Sequence, residues 1–257
     1  MEENNNQNNL LKIERHRTIL NLLSDKTTIT LMELENYLNC SRITIQRDLV
    51  ELENKGLLSR VHGGATLKNF DLTNYGHDKR LLIQSDKKKK IAKKAISLIK
   101  SDMMYIFLDA SSTSYFLSEY IFPDNVRVVT SGIDTFLNLN KNKNIQTILT
   151  GGRVNPRNRT LVGPEAISII KQFHFNIAFF SADSIIKNKG IYSSDKEAAA
   201  VASAGIEHSD KRILLFDSSK VHILGGAKVC DLDVVYNIVT DDVRNPYILN
   251  LFEGRIL

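Results

Sequence analysis

Apolar residues recur at helical spacing near the start of the chain. A stripe over residues 12–24 predicts a first helix, and its members are Ile13, Ile19, Leu20 and Leu23. Thr30 followed three residues later by Glu33 is a capping-box pair, which predicts a second, short helix running through Leu38. Residues 39–41 then break the pattern, so we expect a tight turn there.

A third stripe follows at once, carried by Ile45, Leu49 and Leu52 at i, i+4 and i+7. It stops at Gly56, where a left-handed cap is expected. Residues 57–61 and 65–67 are short β-like pieces separated by His62, Gly63 and Gly64, which predicts a hairpin or wing. Three short helices in fewer than 50 residues, with a tight turn between the second and third, have the proportions of a helix-turn-helix, and the hairpin would be its wing.

The pattern changes in the second part of the chain. Apolar runs without polar alternation, separated by helical segments, are typical of a parallel sheet covered on both faces. The predicted strands are residues 105–108, 126–129, 147–149, 177–180, 213–216 and 234–239. The predicted helices are residues 87–100, 112–121, 133–139, 164–172 and 196–208. We therefore predict an α/β fold class, with a small winged helix-turn-helix followed by a larger α/β domain.

Between the two patterns, residues 68–85 lack clear periodicity. Residues 2–9 are almost all Asn, Gln and Glu, which cannot bury apolar area. The expected organisation is a disordered tail over 1–9, a DNA-binding domain over 10–67, a linker over 68–85 and a second domain over 86–257.

Charge does not locate a DNA site in this chain. The formal net charge is +5, yet residues 1–68 hold nine basic and nine acidic side chains, so the surplus lies in residues 69–257. The most basic stretch, residues 87–94, falls on a predicted amphipathic helix, and we interpret it as a solvated face.

Other classes of protein find little support. No apolar run could span a membrane, and the amino terminus lacks the pattern of a secretory signal. Cys40 and Cys230 lie far apart without metal-ligand spacing, so we expect no disulfide, metal or cofactor. A reducing cytoplasm fits this cysteine usage best.

The third helix offers groove-reading chemistry away from its apolar stripe. Arg47 can pair with guanine, Gln46 with adenine, and Thr44 can contact phosphate or a base edge. Ile43 lies opposite the stripe and could touch a thymine methyl or pack elsewhere in the protein. The alternative for the whole set is an ordinary polar helix surface.

Residues 41–49, SRITIQRDL, followed by VELENKGLLSRVHGGATL, resemble the signature of the DeoR family of bacterial regulators. RVHGGA at residues 60–65 is the most specific part, and Gln46 stands where the family usually has a basic residue. The resemblance implies that the third helix is the recognition helix and that Gly63 and Gly64 shape the wing. The predicted DNA-binding residues are Ser41, Arg42, Thr44, Gln46, Arg47, Arg60, His62, Gly63 and Gly64.

Small, hydroxylated and charged residues follow five of the predicted strands. In an open α/β sheet a ligand binds beyond the carboxyl ends of the strands. Ser, Thr and Gly let a phosphate approach the backbone, Lys and Arg can neutralise it, and carboxylates can accept sugar hydroxyls. A phosphorylated polyol suits this mixture. The predicted effector-binding residues are Asp109, Ser111, Ser112, Thr113, Thr130, Ser131, Gly151, Gly152, Arg153, Asp183, Glu197 and Lys220.

The same segments resemble the DeoR-type effector domain, whose fold is similar to that of ribose-5-phosphate isomerase and coenzyme A transferases. The blocks concerned are FLDASSTS at 107–114, TGG at 150–152, FFSAD at 179–183, GIYSSDKEA at 190–198 and DSSK at 217–220. The family typically has Gly and Thr where Ser111 and Ser112 stand. The resemblance implies a sugar-phosphate effector.

The resemblance implies a transcription regulator that represses a sugar-metabolism operon and is released from, or modulated on, operator DNA by a phosphorylated sugar. We expect it to be a homo-oligomer, a dimer or tetramer. Two alternatives stay open. The second domain could be a sugar-phosphate isomerase-like enzyme that uses Asp109, Asp183, Glu197 and Lys220 as acid and base groups. It could also serve only to oligomerise a DNA-binding protein.

Overall fold

The computed structural model describes residues 2–26, 28–66, 76–100, 104–120, 123–221 and 226–257. Its internal contacts divide the chain into two compact units, Met1–Ser85 and Asp86–Leu257. The division falls where the sequence placed the end of the linker. Each unit has its own apolar core.

The first unit is a winged helix-turn-helix, as predicted. Its elements are α1 (Glu2–Lys26), β1 (Thr28–Thr30), α2 (Leu31–Leu38), α3 (Arg42–Asn54), β2 (Ser59–Val61) and β3 (Gly64–Thr66). The three strands form an antiparallel sheet in the order β1-β3-β2, in which β2 and β3 are the wing. Gly56 follows α3 with φ of 66°, as the sequence indicated.

The capping box at the start of α2 is present. Thr30 Oγ1 accepts from the Glu33 backbone N–H at 3.2 Å, and the Glu33 carboxylate accepts from the Thr30 N–H at 2.9 Å. That backbone donor, together with Lys26 Nζ at 2.9 Å, lowers the pKa of Glu33 to about 2. The sequence pair therefore fixes where the turn ends and the helix begins.

Three helical stripes meet in the core of the first unit. Ile19, Leu20 and Leu23 of α1 pack with Leu34 of α2, and the α3 side chains Ile45, Leu49 and Leu52 complete the cluster. The expectation that Ile13 belongs to this stripe was wrong, because its side chain is 50% exposed. That turn of α1 lies at the edge of the core.

Two boundaries differ from expectation. Helix α1 begins at Glu2, so its backbone includes the Asn-rich residues predicted to be a disordered tail. Adding residues to an existing helix costs much less than nucleating one, so a weak helix former can be incorporated. The predicted linker contains a helix, α4 (His77–Leu82), while its residues 68–75 lie outside the described part of the chain.

The second unit is built on six parallel strands, as the apolar runs predicted. They are β4 (Tyr105–Leu108), β5 (Arg127–Thr130), β6 (Gln146–Leu149), β9 (Phe175–Ser181), β12 (Ser209–Phe216) and β14 (Asn237–Thr240). Their order is β14-β12-β9-β4-β5-β6, and every described pairing between them is parallel. The chain runs outward from β4 in one direction and from β9 in the other, which makes the β4–β9 boundary a topological switch point.

Helices cover this sheet, and short antiparallel strands complete it. The helices are α5 (Ser85–Ala95), α6 (Ser112–Ser118), α7 (Ile133–Leu139), α8 (Pro164–Ile170), α9 (Lys196–Glu207) and α10 (Pro246–Leu251). The short strands are β7 (Arg153–Asn155), β8 (Thr160–Val162), β10 (Ser184–Ile186), β11 (Gly190–Ser193) and β13 (Ala227–Cys230). These five strands were not predicted, because three- and four-residue strands carry too few positions for periodicity to show.

Candidate DNA interface and effector site

A groove of about 540 Å³ separates the recognition helix α3 from the wing. Its lining contains six of the nine predicted DNA-binding residues: Arg42, Gln46, Arg60, His62, Gly63 and Gly64. Helix and wing therefore present their predicted residues to one shared surface.

The outer face of α3 is free to meet a ligand. Arg42, Gln46 and Arg47 are exposed, and no hydrogen bond or ion pair of their side chains occurs within the described part of the chain. Ser41 and Thr44 behave differently. Ser41 caps α3 by accepting from the Thr44 N–H at 3.3 Å, and the two hydroxyls lie 2.9 Å apart. These hydroxyls hold the helix start in place, so the arginines and Gln46 remain the main candidates for base contacts.

The two wing glycines are required for different geometric reasons. Gly63 has φ of 79°, a left-handed conformation, although a Cβ there would meet open space. Gly64 lies against β1, and a Cβ there would overlap the carbonyl oxygen of Ile29. The Gly63 carbonyl accepts from the Leu31 N–H at 2.8 Å, which fastens the wing to the start of α2.

Arg60 is held by a neighbour in this structure. Its Nε lies 2.7 Å from Glu53 Oε2, and its backbone N–H donates to Glu53 Oε1 at 2.9 Å. The side chain is about half exposed, so the pair is weak and a phosphate can compete for the guanidinium.

A buried acid on the inner side of α3 was missed by the sequence reasoning. The carboxylate of Asp48 is bound by Arg15 Nε at 2.7 Å, by Arg15 Nη2 at 3.1 Å and by His16 Nε2 at 3.2 Å. Burial alone would raise the pKa of Asp48, but the bonds from His16 and Arg15 hold it below its ordinary value. The position i+3 from Ile45 could have signalled a buried side chain. The contact anchors α3 to α1.

In the second unit, the predicted effector residues follow the carboxyl ends of five parallel strands. Residues 109–113 follow β4, Ser131 follows β5, and Gly151–Arg153 follow β6. On the other half of the sheet, Asp183 follows β9 and Lys220 follows β12. Thr130 ends β5, and Glu197 lies in the first turn of α9. Since parallel strands end at the same edge, the topology brings the strand-end residues to one side of the sheet.

Asp109 joins the two halves of the sheet at the switch point. Its carboxylate accepts from the Ser181 N–H at the end of β9 at 2.8 Å, from the Ser111 N–H at 3.1 Å, and from the Ser114 hydroxyl. Burial raises the pKa of Asp109 despite these bonds. Ser111 in turn caps α6 by accepting from the Ser114 N–H at 3.1 Å. These two residues organise the turn after β4.

Several predicted hydroxyls are buried near the ends of β4 and β5. They are Ser112, Thr113, Thr130 and Ser131. Thr130 Oγ1 accepts from the Gly132 N–H at 3.1 Å, and Ser131 is bonded by Thr160. Thr150, just ahead of Gly151, is fully buried, and its hydroxyl has no hydrogen-bond partner among the described residues.

The remaining acids pair with neighbours. Arg153 Nη2 donates to the Glu197 carboxylate, and both side chains are largely exposed. Asp183 accepts from the Ser194 N–H at 2.9 Å and from its hydroxyl at 2.7 Å, which ties the end of β9 to the loop before α9. Gly152 has φ of 114° beside β8, where a Cβ would overlap the Val162 carbonyl.

A buried charge cluster lies beyond the end of β12. Lys220 is 9% exposed, Asp217 1% and Lys88 of α5 4%. Burial alone would raise the pKa of Asp217, but the ammonium groups of Lys220 and Lys88, with bonds from Ser219, keep it below its ordinary value. From the sequence, we interpreted the basic run at residues 87–94 as a solvated helix face. That was wrong for Lys88, because the polar end of β12 supplies a carboxylate for it.

Neighbouring side chains extend this cluster. Lys87 Nζ lies 3.6 Å from Asp241 Oδ2, and Asp241 also accepts from the Ser218 N–H at 2.7 Å. Two successive lysines of α5 thus face acids that follow β12 and β14. Sequence reasoning missed this arrangement, since nothing in a lysine run marks which member is buried.

A winged helix-turn-helix with exposed arginines, followed by a separate α/β unit with polar strand ends, defines a DNA-binding regulator with a sensor domain. Comparison with known families agrees. Residues 15–69 match the DeoR-like helix-turn-helix domain, and residues 83–242 match the DeoR C terminal sensor domain. The chain belongs to the DeoR family of transcriptional regulators.

Curated relatives match over most of their length. The HTH-type transcriptional regulator GolR of Listeria innocua is 30% identical over 95% of this chain and 96% of its own. An L-fucose operon activator of Haemophilus influenzae is 34% identical, covering 88% and 91%. The lactose phosphotransferase system repressor of Staphylococcus aureus is 30% identical, covering 90% and 92%.

Solved structures resemble the chain more distantly. A D-ribose-5-phosphate isomerase in complex with phospho-erythronic acid aligns with a TM-score of 0.40 and 17% identity, over 53% of this chain and 54% of that one. The delta subunit of eIF2B from Chaetomium thermophilum gives 0.43 and 11%, over 64% and 57%. Identities this low concern the fold alone.

Among the described helices, none is both long and apolar enough to cross a membrane.

Proposed function

We propose that this regulator represses a sugar-metabolism operon in the cytoplasm and leaves its operator when a phosphorylated sugar binds the second unit. It would bind repeated half-sites as a dimer or tetramer. Effector binding would act through a difference in DNA affinity between two arrangements of the protein. Two relatives support a role in carbohydrate control, since their names refer to an L-fucose operon and to a lactose phosphotransferase system.

The buried cluster of Lys88, Lys220 and Asp217 is the observation that carries the effector proposal. The ammonium groups of two lysines act on one carboxylate here, and all three side chains are buried. Buried charge is costly unless it is balanced. A phosphate group would accept charge-assisted hydrogen bonds from both ammonium groups.

The engagement of the acids favours binding over catalysis. Asp109 accepts three hydrogen bonds from its own turn and from β9, Asp183 is bonded to Ser194, and Glu197 pairs with Arg153. A general base must be within reach of a substrate proton. Carboxylates that already accept internal hydrogen bonds are poorly placed to act as the general base of an isomerase.

An effector screen tests the proposal. A panel of sugar phosphates, each beside its unphosphorylated sugar, would be scored for melting shift and for release of promoter DNA. At least one phosphate should do both, and a ligand at about a hundred times its Kd adds roughly 2.7 kcal/mol of stability. If no sugar phosphate stabilises the protein, the proposed effector binding is wrong. The hypothesis that the second unit serves only to oligomerise the protein is then favoured.

A substitution in α5 tests the cation cluster. Lys88→Met should weaken binding of the active sugar phosphate at least tenfold, because a charge-assisted hydrogen bond contributes about 1.5–3 kcal/mol. Lys90→Met, an exposed lysine on the same helix, is the matched control and should bind as the wild type does. Isothermal titration measures both. Equal affinity in the two variants would remove Lys88 from the site.

A further inference from the structure

Helix α3 carries an exposed aliphatic side chain among its polar DNA-reading residues. Ile43 is 62% exposed, whereas Ile45, two residues later, is fully buried in the core. Ile43 therefore contributes little to the packing of the first unit. An exposed β-branched residue is also a mediocre helix former, because its side chain loses rotamer freedom against the preceding turn.

Its neighbours define what this side chain faces. Residues three and four positions apart share one helix face, so Ile43 lies beside Gln46 and Arg47. Both are exposed, and Arg42 precedes it at the start of the helix. This end of a recognition helix is the part that contacts base edges in the major groove. Cationic and amide groups around the isoleucine complement a polyanion with hydrogen-bonding bases.

The major groove displays one apolar group on its floor, the 5-methyl of thymine. We infer that Ile43 reads this methyl group, so that each operator half-site contains a thymine next to the bases that Gln46 and Arg47 contact. The inference rests on the operator binding proposed above and adds a base to it. The exposed isoleucine would lose its contact with water when the helix docks.

The test starts from an operator found by selection, in which the full-length protein enriches sequences from random synthetic DNA. Because such a library holds no methylated cytosine, thymine alone bears a 5-methyl group. Deoxyuridine then replaces each thymine of the half-site in turn, which removes the methyl and leaves base pairing intact. Binding is measured for the wild type, for Ile43→Ala, and for Ile13→Ala as a control, since Ile13 is a similarly exposed isoleucine on α1.

One thymine should stand out. Its replacement should weaken wild-type and Ile13→Ala binding about fourfold, the factor expected for burial of one methyl-sized group, and leave Ile43→Ala binding unchanged. If deoxyuridine is harmless at every position, or if Ile43→Ala shows the same loss as the wild type, the thymine contact is wrong while operator binding stands. Failure to enrich any sequence would overturn operator binding and the thymine contact together.

Discussion

Arg47 and Asp48 are adjacent in the chain and face opposite environments. Arg47 is exposed on the outer face of α3, while Asp48 is buried against Arg15 and His16 of α1. One residue turns a helix by about 100°, which is enough to separate a side chain that meets DNA from one that holds the helix in place. The two positions therefore predict separable effects of substitution.

Arg47→Ala should weaken operator binding without unfolding the protein. Its side chain makes no hydrogen bond or ion pair with the described residues. A bidentate contact between an arginine and a base contributes about 1–3 kcal/mol of discrimination, roughly five- to 150-fold. Gel-shift titration with circular dichroism measures affinity and folding together. Unchanged operator affinity in a folded variant would reject the assignment of Arg47 to the interface.

Asp48→Ala should destabilise the first unit by about 3 kcal/mol, the low end for breaking a buried ion pair, because Arg15 is 21% exposed while His16 loses a buried partner. Glu51→Ala is the control, since Glu51 pairs with Lys12 between the same two helices but at the surface, and it should cost about 1 kcal/mol or less. Denaturant unfolding compares them, and equal losses would contradict the anchoring role.

The pH dependence follows from the same acid. A carboxyl whose pKa is lower in the folded protein stabilises it above the unfolded pKa and loses that contribution as the pH falls. The advantage of the wild type over Asp48→Ala should therefore be complete at neutral pH and shrink as the pH drops through the ordinary value of 3.8 and below. A constant difference down to pH 2 would show that the charge of Asp48 is not what stabilises the fold.

At the scale of elements, the wing depends on two consecutive glycines with distinct requirements. Gly63→Ala should cost about 1–2 kcal/mol, since a left-handed conformation strains an L-residue but the space is open. Gly64→Ala should cost more and weaken DNA binding further, because its Cβ forces β3 away from β1. The melting temperature and operator affinity of the two variants are compared. A larger loss in Gly63→Ala than in Gly64→Ala would contradict the close approach of Gly64 to β1.

Helices α3 and α7 were predictable because several apolar residues in each recur at the spacing of one type of secondary structure. The stripe of Ile45, Leu49 and Leu52 located α3, and Ile133–Leu139 of α7 was bounded correctly. Among the candidate site residues, six of the nine predicted for the first unit line one groove. The anchoring of Asp48 and the burial of Lys88 were not, since both depend on partners more than 30 residues away that no local pattern identifies. The assignments of individual ligands stay predictions.

Across the whole molecule, net charge was uninformative because it does not record where the charged side chains lie. Glu33, Asp48, Glu51 and Glu53 each pair with a basic side chain of the same unit, while Arg42 and Arg47 remain exposed. The field at a binding surface depends on where charges lie and which are neutralised locally. Equal counts of acids and bases are therefore compatible with a cationic DNA-reading surface.

Two separate cores predict two separate unfolding transitions. Asp48→Ala should lower the melting temperature of the first unit alone. Gly205→Ala should lower that of the second, because the added Cβ would overlap the Phe107 ring where α9 meets β4. Differential scanning calorimetry resolves the transitions. A single transition lowered equally by both substitutions would show that the units unfold together.

Helix α5 starts at Ser85, the last residue of the first unit, and reaches Lys88 one turn later. A rise of about 1.5 Å per residue puts the backbone of Lys88 roughly 5 Å along the helix from that boundary. Any anion that rearranges the ammonium of Lys88 would consequently act at the chain's passage from one unit to the next. A ligand bound at Lys88 would therefore contact the first turn of the helix that begins at this boundary.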